Sequence, residues 1–388
     1  MRCARRHERG AILIWAVLGL VMVGSMLALA LNVGRMISVR GALQNGTDSA
    51  ALAAAAELNG EQSGVTAGEG AAVAYAGAHV SDAGLNVTID PGADVVFGTW
   101  DRAARVFTPV TGRTAVDLRA ITAVQVRAGR ETARSNAVPI TFGGAFVTPT
   151  SVDVRATSIA VGGGPCQERC AFPAVFADCI MVNPDGSLDC SERYYVLNSD
   201  WQDNLGLTSL DPNEPASVPN IKDALHDCVP TSADMEIPVT NGNMLQPISV
   251  DPYFNDLPKE VSSPVVHVER CEPAHFEPCD QSIVNGPCMN AKFVGDLPIV
   301  GYATFVLCYV TGANVGTWPP ANWPVAECGA APKLADFPGV DPNQWPDPFL
   351  KHTFFLQHRC NVEEAGPGTG VAGCGFFGTS STRSRLVQ

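Results

Sequence analysis

Residues 11–33 read AILIWAVLGLVMVGSMLALALNV, and residues 34–58 continue as GRMISVRGALQNGTDSAALAAAAEL. The first stretch has 23 residues and no charge. That is about 34 Å of helix at ~1.5 Å per residue, enough to cross a hydrocarbon core of about 30 Å. The second stretch keeps a helical period, with Leu43, Ala50, Ala54 and Leu58 on one face and alanine between them. Gly41 and Gly46 weaken that helix locally. A narrow face of small side chains suits close packing against the chain's own sheet or a neighbouring helix.

Charge divides at the same place. Residues 1–40 hold six arginines and one glutamate, and the remaining 348 residues hold 19 basic and 38 acidic groups. Arg2, Arg5, Arg6 and Arg9 precede the apolar run and predict a cytoplasmic N-terminal side. The acidic remainder argues against nucleic acid and against anionic lipid headgroups as partners. Of 13 cysteines only Cys3 precedes the run. The other twelve are Cys166, Cys170, Cys179, Cys190, Cys228, Cys271, Cys279, Cys288, Cys308, Cys328, Cys360 and Cys374. An even set confined to one side of a membrane span reads as a disulfide framework formed outside the cytoplasm. Twelve cysteines allow roughly ten thousand pairings, so none is assigned. Ala28-Leu29-Ala30 fits a signal-peptidase site, but the run exceeds the usual signal core and its pattern continues helical, which favours a retained anchor.

Beyond Val80 the period changes to that of a strand. Leu85, Val87 and Ile89 alternate with Asn86, Thr88 and Asp90, and VVFGTWD and RVFTPV follow as short strands. Val116, Leu118, Ala120, Thr122, Val124, Val126 and Ala128 share one face, as do Val152, Val154, Ala156 and Ala160. Gly162-Gly163-Gly164-Pro165 marks a boundary, past which lie 25 of the 29 prolines. Strand candidates there are PVVHVERC, AKFVGDLPIVGYATFVLCYVTG and KHTFFLQHRC, with one short helix expected from Asn220 to Cys228, capped by Asn220. The expected division is a cytoplasmic tail (1–10), a transmembrane helix (11–33), an Ala-rich stalk helix (34–80), a small antiparallel sheet (81–163) and a Cys/Pro-rich, mostly β domain (164–388). The fold class is membrane-anchored α+β, one helix laid against a pilin-like sheet.

The first 58 residues resemble the N-terminal segment of the TadG-like Flp pilus-assembly family of the Tad (tight adherence) system. The resemblance rests on basic residues and Gly10 before one membrane helix, then on Leu43-Gln44-Asn45-Gly46-Thr47-Asp48-Ser49-Ala50-Ala51-Leu52-Ala53-Ala54-Ala55. The departure is Gly46-Thr47, where two alanines are common. FGTWD, GRETARSNAVPITFGGAF and VDVRATSIAV also look like TadG-type segments. The resemblance implies a bacterial inner-membrane, single-pass, non-enzymatic component of pilus assembly or secretion with a periplasmic body. Its partners would be other Tad/Flp assembly proteins, pilins and the bilayer, with Gly10, Leu43, Gln44, Asn45, Asp48, Ala50, Ala51, Leu52 and Ala54 as motif and helix-packing residues. The alternative is an exported Cys-rich adhesin that binds carbohydrate or protein. Some larger relatives carry a D-x-S-x-S metal motif; the nearest string here, Asp185–Asp189, has the wrong fifth residue. Type IV pilins need Glu five residues after the cleaved Gly, and here that position is Trp15, which argues against processing and entry into a shaft.

Other chemistry is weakly signalled. Cys271, His275 and Cys279 with His267 have zinc-like spacing, but Pro273 and Pro278 break any helix and the compartment favours bridges. Cys166 and Cys170 read the same way. Asn183, Asp185, Ser187 and Asp189 lack calcium-loop spacing, and GPGTGVAGCG lacks the Lys-Ser/Thr end of a phosphate loop. No Gly-x-Ser-x-Gly occurs. Trp201, Trp318, Trp323 and Trp345 suit a docking surface less well than core or loop-pinning roles. The expectation is therefore no catalytic residue, no metal and no cofactor.

Overall fold

The structure is a computed structural model. It describes residues 8–142, 150–182, 187–189, 194–197, 205–233, 235–240, 245–268, 271–273, 289–291, 293, 295–334, 343, 345–346, 350–360, 362–363, 372–380 and 384–387. The apolar run and its continuation form one helix, α1 (Glu8–Ala56), of 49 residues. Its surroundings change midway. Side chains such as Trp15 and Leu20 are fully outward, each 74 % exposed, whereas Val39, Leu43, Ala50, Ala54 and Ala55 are buried. Mean hydropathy reaches 2.4 in the outward half, which is long and apolar enough to cross a membrane.

Residues 34–80 do not continue as a single stalk helix, as the alanine pattern suggests. The chain turns at Asn59-Gly60 and folds back as α2 (Gln62–Gly77). Gly60 has φ +76°, and the Phe376 ring lies 2.6 Å from where a Cβ would be. Asn59 Oδ1 accepts from the N–H groups of Glu61 and Gly64, satisfying donors at the new helix start. Gly64, Gly68, Ala72 and Ala76 are buried on α2, and a Cβ at Gly68 would sit 3.0 Å from the Ala54 carbonyl. Small residues thus face small residues, which lets the backbones approach closely. Gly41 has no such neighbour, with nothing within 4 Å of its absent Cβ. Gly41→Ala is therefore expected to stabilise α1 by about 0.5–1 kcal/mol, visible as a raised thermal midpoint of the full chain in detergent.

Four strands follow: β1 (Val95–Asp101), β2 (Val106–Pro109), β3 (Ala123–Arg130) and β4 (Val154–Val161). They pair antiparallel in the order β2-β1-β3-β4, and Arg385–Leu386 from the far end of the chain adds to β4. Phe97, Val124, Val126, Ala128, Val154, Ala156 and Ala160 form one core with Val39, Leu43, Ala50 and Ala54 of α1. One expected strand is absent and another, expected from Val116, begins only at Ala123. Residues 115–120 form a short helix, because Thr114 and Asp117 make a reciprocal capping box. Residues 85–90 make only an isolated bridge, Val80 to Asn86, before Asp90 caps a helical turn at Pro91–Asp94.

Past Gly164 the chain builds a second core from β5 (Ala174–Ala177), β6 (Tyr194–Leu197), β7 (Leu205–Thr208), α3 (Val218–His226), β8 (Glu236–Thr240), β9 (Lys259–Val266), β10 (Gly295–Val310) and β11 (Phe354–Arg359). The sheet order is β6-β11-β10-β8-β7-β5-β9, and β9 also pairs with β10. The pairings therefore close a ring through β10, β8, β7, β5 and β9, which removes the edges of those strands. Only β5–β9 is parallel within it. Val175, Phe176, Ile237, Val265, Tyr302 and Phe305 fill the core, with the Phe176 and Phe305 rings stacked 3.9 Å apart. The helix expected from Asn220 begins instead at Val218, with Ser217 at the N-cap position and Pro219 in its first turn, where a missing N–H costs nothing. Asn220 donates from its side chain to the Pro215 carbonyl.

Disulfides join Cys166 to Cys374, Cys170 to Cys228 and Cys308 to Cys328. Cys179 and Cys360 are also disulfide-bonded. Cys190, Cys279 and Cys288 lie outside the described residues, as does the side chain of Cys271. His358 on β11 is buried, with Nδ1 3.2 Å from the Asp189 carbonyl and Nε2 3.0 Å from that of Phe377. Burial lowers its pKa below the ordinary 6.5, and the carbonyl contacts do not fully offset it. Below pH 6.5 the unfolded chain binds a proton that the folded one resists, so stability falls as pH drops, by up to about 1.4 kcal/mol per unit. Urea titrations between pH 7.5 and 5 are expected to show this slope, and His358→Gln is expected to flatten it.

Candidate interaction site

The stretch where α1 meets the sheet concentrates the polar contacts of the motif. Leu43 is 2 % exposed and packs into the core, while Gln44, one residue on, turns toward β4. Gln44 Nε2 donates to Asp48 Oδ1 and to Ser158 Oγ, both at 2.8 Å. Ser158 donates to Asp48 Oδ1 at 2.5 Å, and its hydroxyl lies 2.7 Å from that of the fully buried Thr47. The helix register makes this possible, since positions 44, 47 and 48 share one face. The Gly46-Thr47 pair also has matched partners: Thr47 meets Ser158, and a Cβ at Gly46 would sit 3.1 Å from Val87 Cγ1. Asn45 is exposed, Leu52 is half-buried, and Ala50, Ala51 and Ala54 are buried. Gly10 lies within α1.

A second clamp lies nearer the apolar run. Arg35, its first charged residue downstream, donates from Nε at 2.8 Å and from Nη2 at 2.5 Å to Asp82 Oδ2. Arg130 of β3 pairs with the other oxygen of Asp82. Burial and the nearby Arg35 charge lower the Arg130 pKa, so Asp82 holds together two cations that repel. Arg35 Nη1 also donates to Thr141 Oγ1 at 2.5 Å, and Asn32 Nδ2 to the Phe142 carbonyl at 2.7 Å. A third pair, Arg134 with Asp94, ties the turn after β3 to the turn before β1. Burial alone would raise the Asp94 carboxyl, but hydrogen bonds from Arg134 and the Asp90 N–H, with the Arg134 charge, hold it below the usual range.

Residues 10–57 match a family model described as putative Flp pilus-assembly TadE/G-like, and residues 53–160 match one described as putative Tad-like Flp pilus-assembly. Residues 10–160 form a TadG-like Flp/Tad pilus-assembly region. No curated protein and no solved structure matches it. The two matched stretches together contain α2 and almost all of α1 and β1–β4, so the TadG-like region coincides with the first core and both clamps. Within this region the motif polar residues hold helix to sheet. Ser158→Ala is expected to cost about 2 kcal/mol, because it leaves Thr47 and Asp48 short of a buried partner; chemical unfolding of the full chain measures it.

The other candidate groups fall elsewhere. His267 Nδ1 lies 2.7 Å from Asp178 Oδ2, while His275 and Cys279 are outside the described residues, as are Asn183, Asp185 and Trp201. Cys166 and Cys170 are bridged to different partners. Trp318, Trp323 and Trp345 gather around Phe355, and the indole N–H groups of Trp318 and Trp323 donate to the Pro332 and Gly329 carbonyls. They pin loops to a core. Ser249 Oγ is 2.7 Å from His352 Nδ1, whereas Asp251 Oδ1 meets a different histidine, His226, at 2.8 Å. These are two separate pairs rather than a relay through one imidazole.

Ser158, Arg35, Asp82 and Asn32 escape motif reading. Ser158 leaves one signal: it occupies the apolar face of β4, in line with Val154, Ala156 and Ala160.

Proposed function

We propose that this TadG-like protein is anchored in the bacterial inner membrane by α1, with its N-terminus in the cytoplasm and both cores in the periplasm. It acts through protein–protein contacts with other Tad/Flp assembly proteins and pilins rather than by catalysis. The observation that carries the reading is the unbroken α1, whose outward half is apolar and whose other half is clamped to the sheet through Gln44, Asp48 and Ser158. Any load on the body passes directly to the membrane span. Orientation follows from the arginines before the run, and the oxidising side from the bonded cysteines. Deleting the gene is expected to abolish surface pili, and unaltered piliation would overturn the role. A cytoplasmic reporter fused after Arg40 is expected to be inactive; activity would reverse the orientation.

A further inference from the structure

We infer that the end of the sheet nearest the apolar run rests in the phospholipid headgroup layer, with Phe142 reaching the hydrocarbon edge and Arg40 and Arg155 meeting lipid phosphates. This rests on the anchoring reading above and adds a second lipid-contacting surface to the helix.

Depth comes from the helix. The run ends at Val33, and its length of about 34 Å slightly exceeds a 30 Å hydrocarbon core, which puts Asn32 at the boundary. Phe142 is tied to that height twice: Asn32 Nδ2 donates to its carbonyl at 2.7 Å, and its N–H donates to Asn32 Oδ1 at 3.4 Å. Arg35 holds the preceding residues, donating to the Pro139 carbonyl at 3.3 Å as well as to Thr141. The helix therefore satisfies the Pro139 carbonyl and both backbone polar groups of Phe142, as lipid contact demands. Phe142 is nonetheless 49 % exposed.

One to two turns farther on, Met36, Ile37, Val152 and Val154 form an open apolar groove between α1 and the start of β4, rimmed by Arg40, Asp153 and Arg155. Ile37 is 68 % exposed although it lies past the first arginine. Met36 to Arg40 stand about 5–10 Å beyond Val33, the depth of the headgroups, and an arginine stem can lie along apolar surface while its guanidinium meets phosphate. Asp153 is engaged by the N–H and hydroxyl of Thr132, and Arg155 shares Glu131 at 2.5 Å while remaining 68 % exposed. Arg40 makes no hydrogen bond or ion pair among the described residues. In a body that is acidic overall, this end offers cations beside apolar surface, continuous with the membrane span. A phospholipid of the same leaflet fits that combination.

The test uses the full chain in nanodiscs of phosphatidylethanolamine and phosphatidylglycerol, with benzoylphenylalanine in place of Leu20, Phe142 or Val116. Leu20 lies in the span. Val116 is exposed on the short helix before β3, at the sheet's opposite end. Light is expected to attach lipid at positions 20 and 142 and none at 116. Lipid at 20 but not at 142 would overturn this inference and leave the anchor standing, whereas no lipid at 20 would overturn the anchor itself. Amide exchange of residues 150–155 is expected to slow at least threefold on transfer from detergent to nanodiscs. Arg40→Gln with Arg155→Gln is expected to abolish that slowing, and equal protection in the variant would remove the two arginines from the contact.

Discussion

Replacing Cys166 and Cys374 by serine is expected to lower the unfolding free energy by up to about 5 kcal/mol, the loop-entropy value for a bridge this long. The two residues are 208 apart in sequence. The bridges Cys170–Cys228 and Cys308–Cys328 lie inside that loop and shorten it, so the full value is a ceiling. The bond also fixes where the last segment goes. Beside it, residues 372–374 pair with Gly164–Pro165. Phe376 then reaches Gly60 in the α1–α2 turn, Phe377 enters the second core under the Arg119 guanidinium, and Arg385–Leu386 extends the sheet beside β4. Ser384 closes the path by donating to the Leu52 carbonyl of α1. Opening the bond should therefore loosen both cores through one strap. Limited proteolysis of the variant is expected to cut within residues 375–387 first, together with a lowered unfolding midpoint. An unchanged midpoint would mean that the strap holds by packing alone. The Cys308–Cys328 bridge closes a 20-residue separation and is expected to contribute less, about 3 kcal/mol.

Long periods are legible in this sequence and cross-connections are not. The 3.6 repeat of α1 and the alternation of Val124, Val126, Ala128 and of Val154, Ala156, Ala160 report burial on one face, and those faces do meet. Where a short polar pair competes with the period, the pair wins. Thr114 with Asp117 turns an apparent strand into helix, and Asn59 with Gly60 turns one stalk into two packed helices. Both signals are local and recognisable. The β ring is another matter. It joins β5 to β9 and β8 to β10, partners far apart in sequence whose pairing depends on three-dimensional closure rather than on any nearby residue. Disulfide partners are hidden for the same reason. The motif itself was visible as LQN-x-x-D, but its use was not. Gln44 and Asp48 converge on Ser158, more than a hundred residues away, so the pattern marks a clamp whose other half lies in a strand.

Gly162→Ala is expected to cost several kcal/mol, and the comparison with Gly46→Ala shows why. Gly162 follows β4 at the place where the chain passes under the last turn of α1, and its N–H donates to the Thr122 carbonyl. A Cβ there would lie 1.9 Å from the Ala55 carbonyl oxygen and 3.2 Å from Ala55 Cα. The obstacle is helix backbone, which cannot rotate aside, so the end of α1 would have to lift from the sheet. That would uncover Ala54, Ala55 and Leu58, all buried, and disturb Gly163, whose φ of +89° directs the chain into the second core. Overpacking against a fixed element belongs to the few mechanisms that reach about 3 kcal/mol or more. At Gly46 the obstacle is the Val87 side chain at 3.1 Å, which needs to yield only a few tenths of an ångström. An alanine there also gains about 1 kcal/mol of helix propensity, so the two effects roughly cancel. Thermal unfolding of the two variants should separate them clearly: a near-parental midpoint for Gly46→Ala and a fall of several degrees or failure to accumulate for Gly162→Ala. Equal midpoints would mean that α1 is not held against β4 at this point. The rigid path from membrane span to second core would then have to run through the strap at Cys166–Cys374 instead.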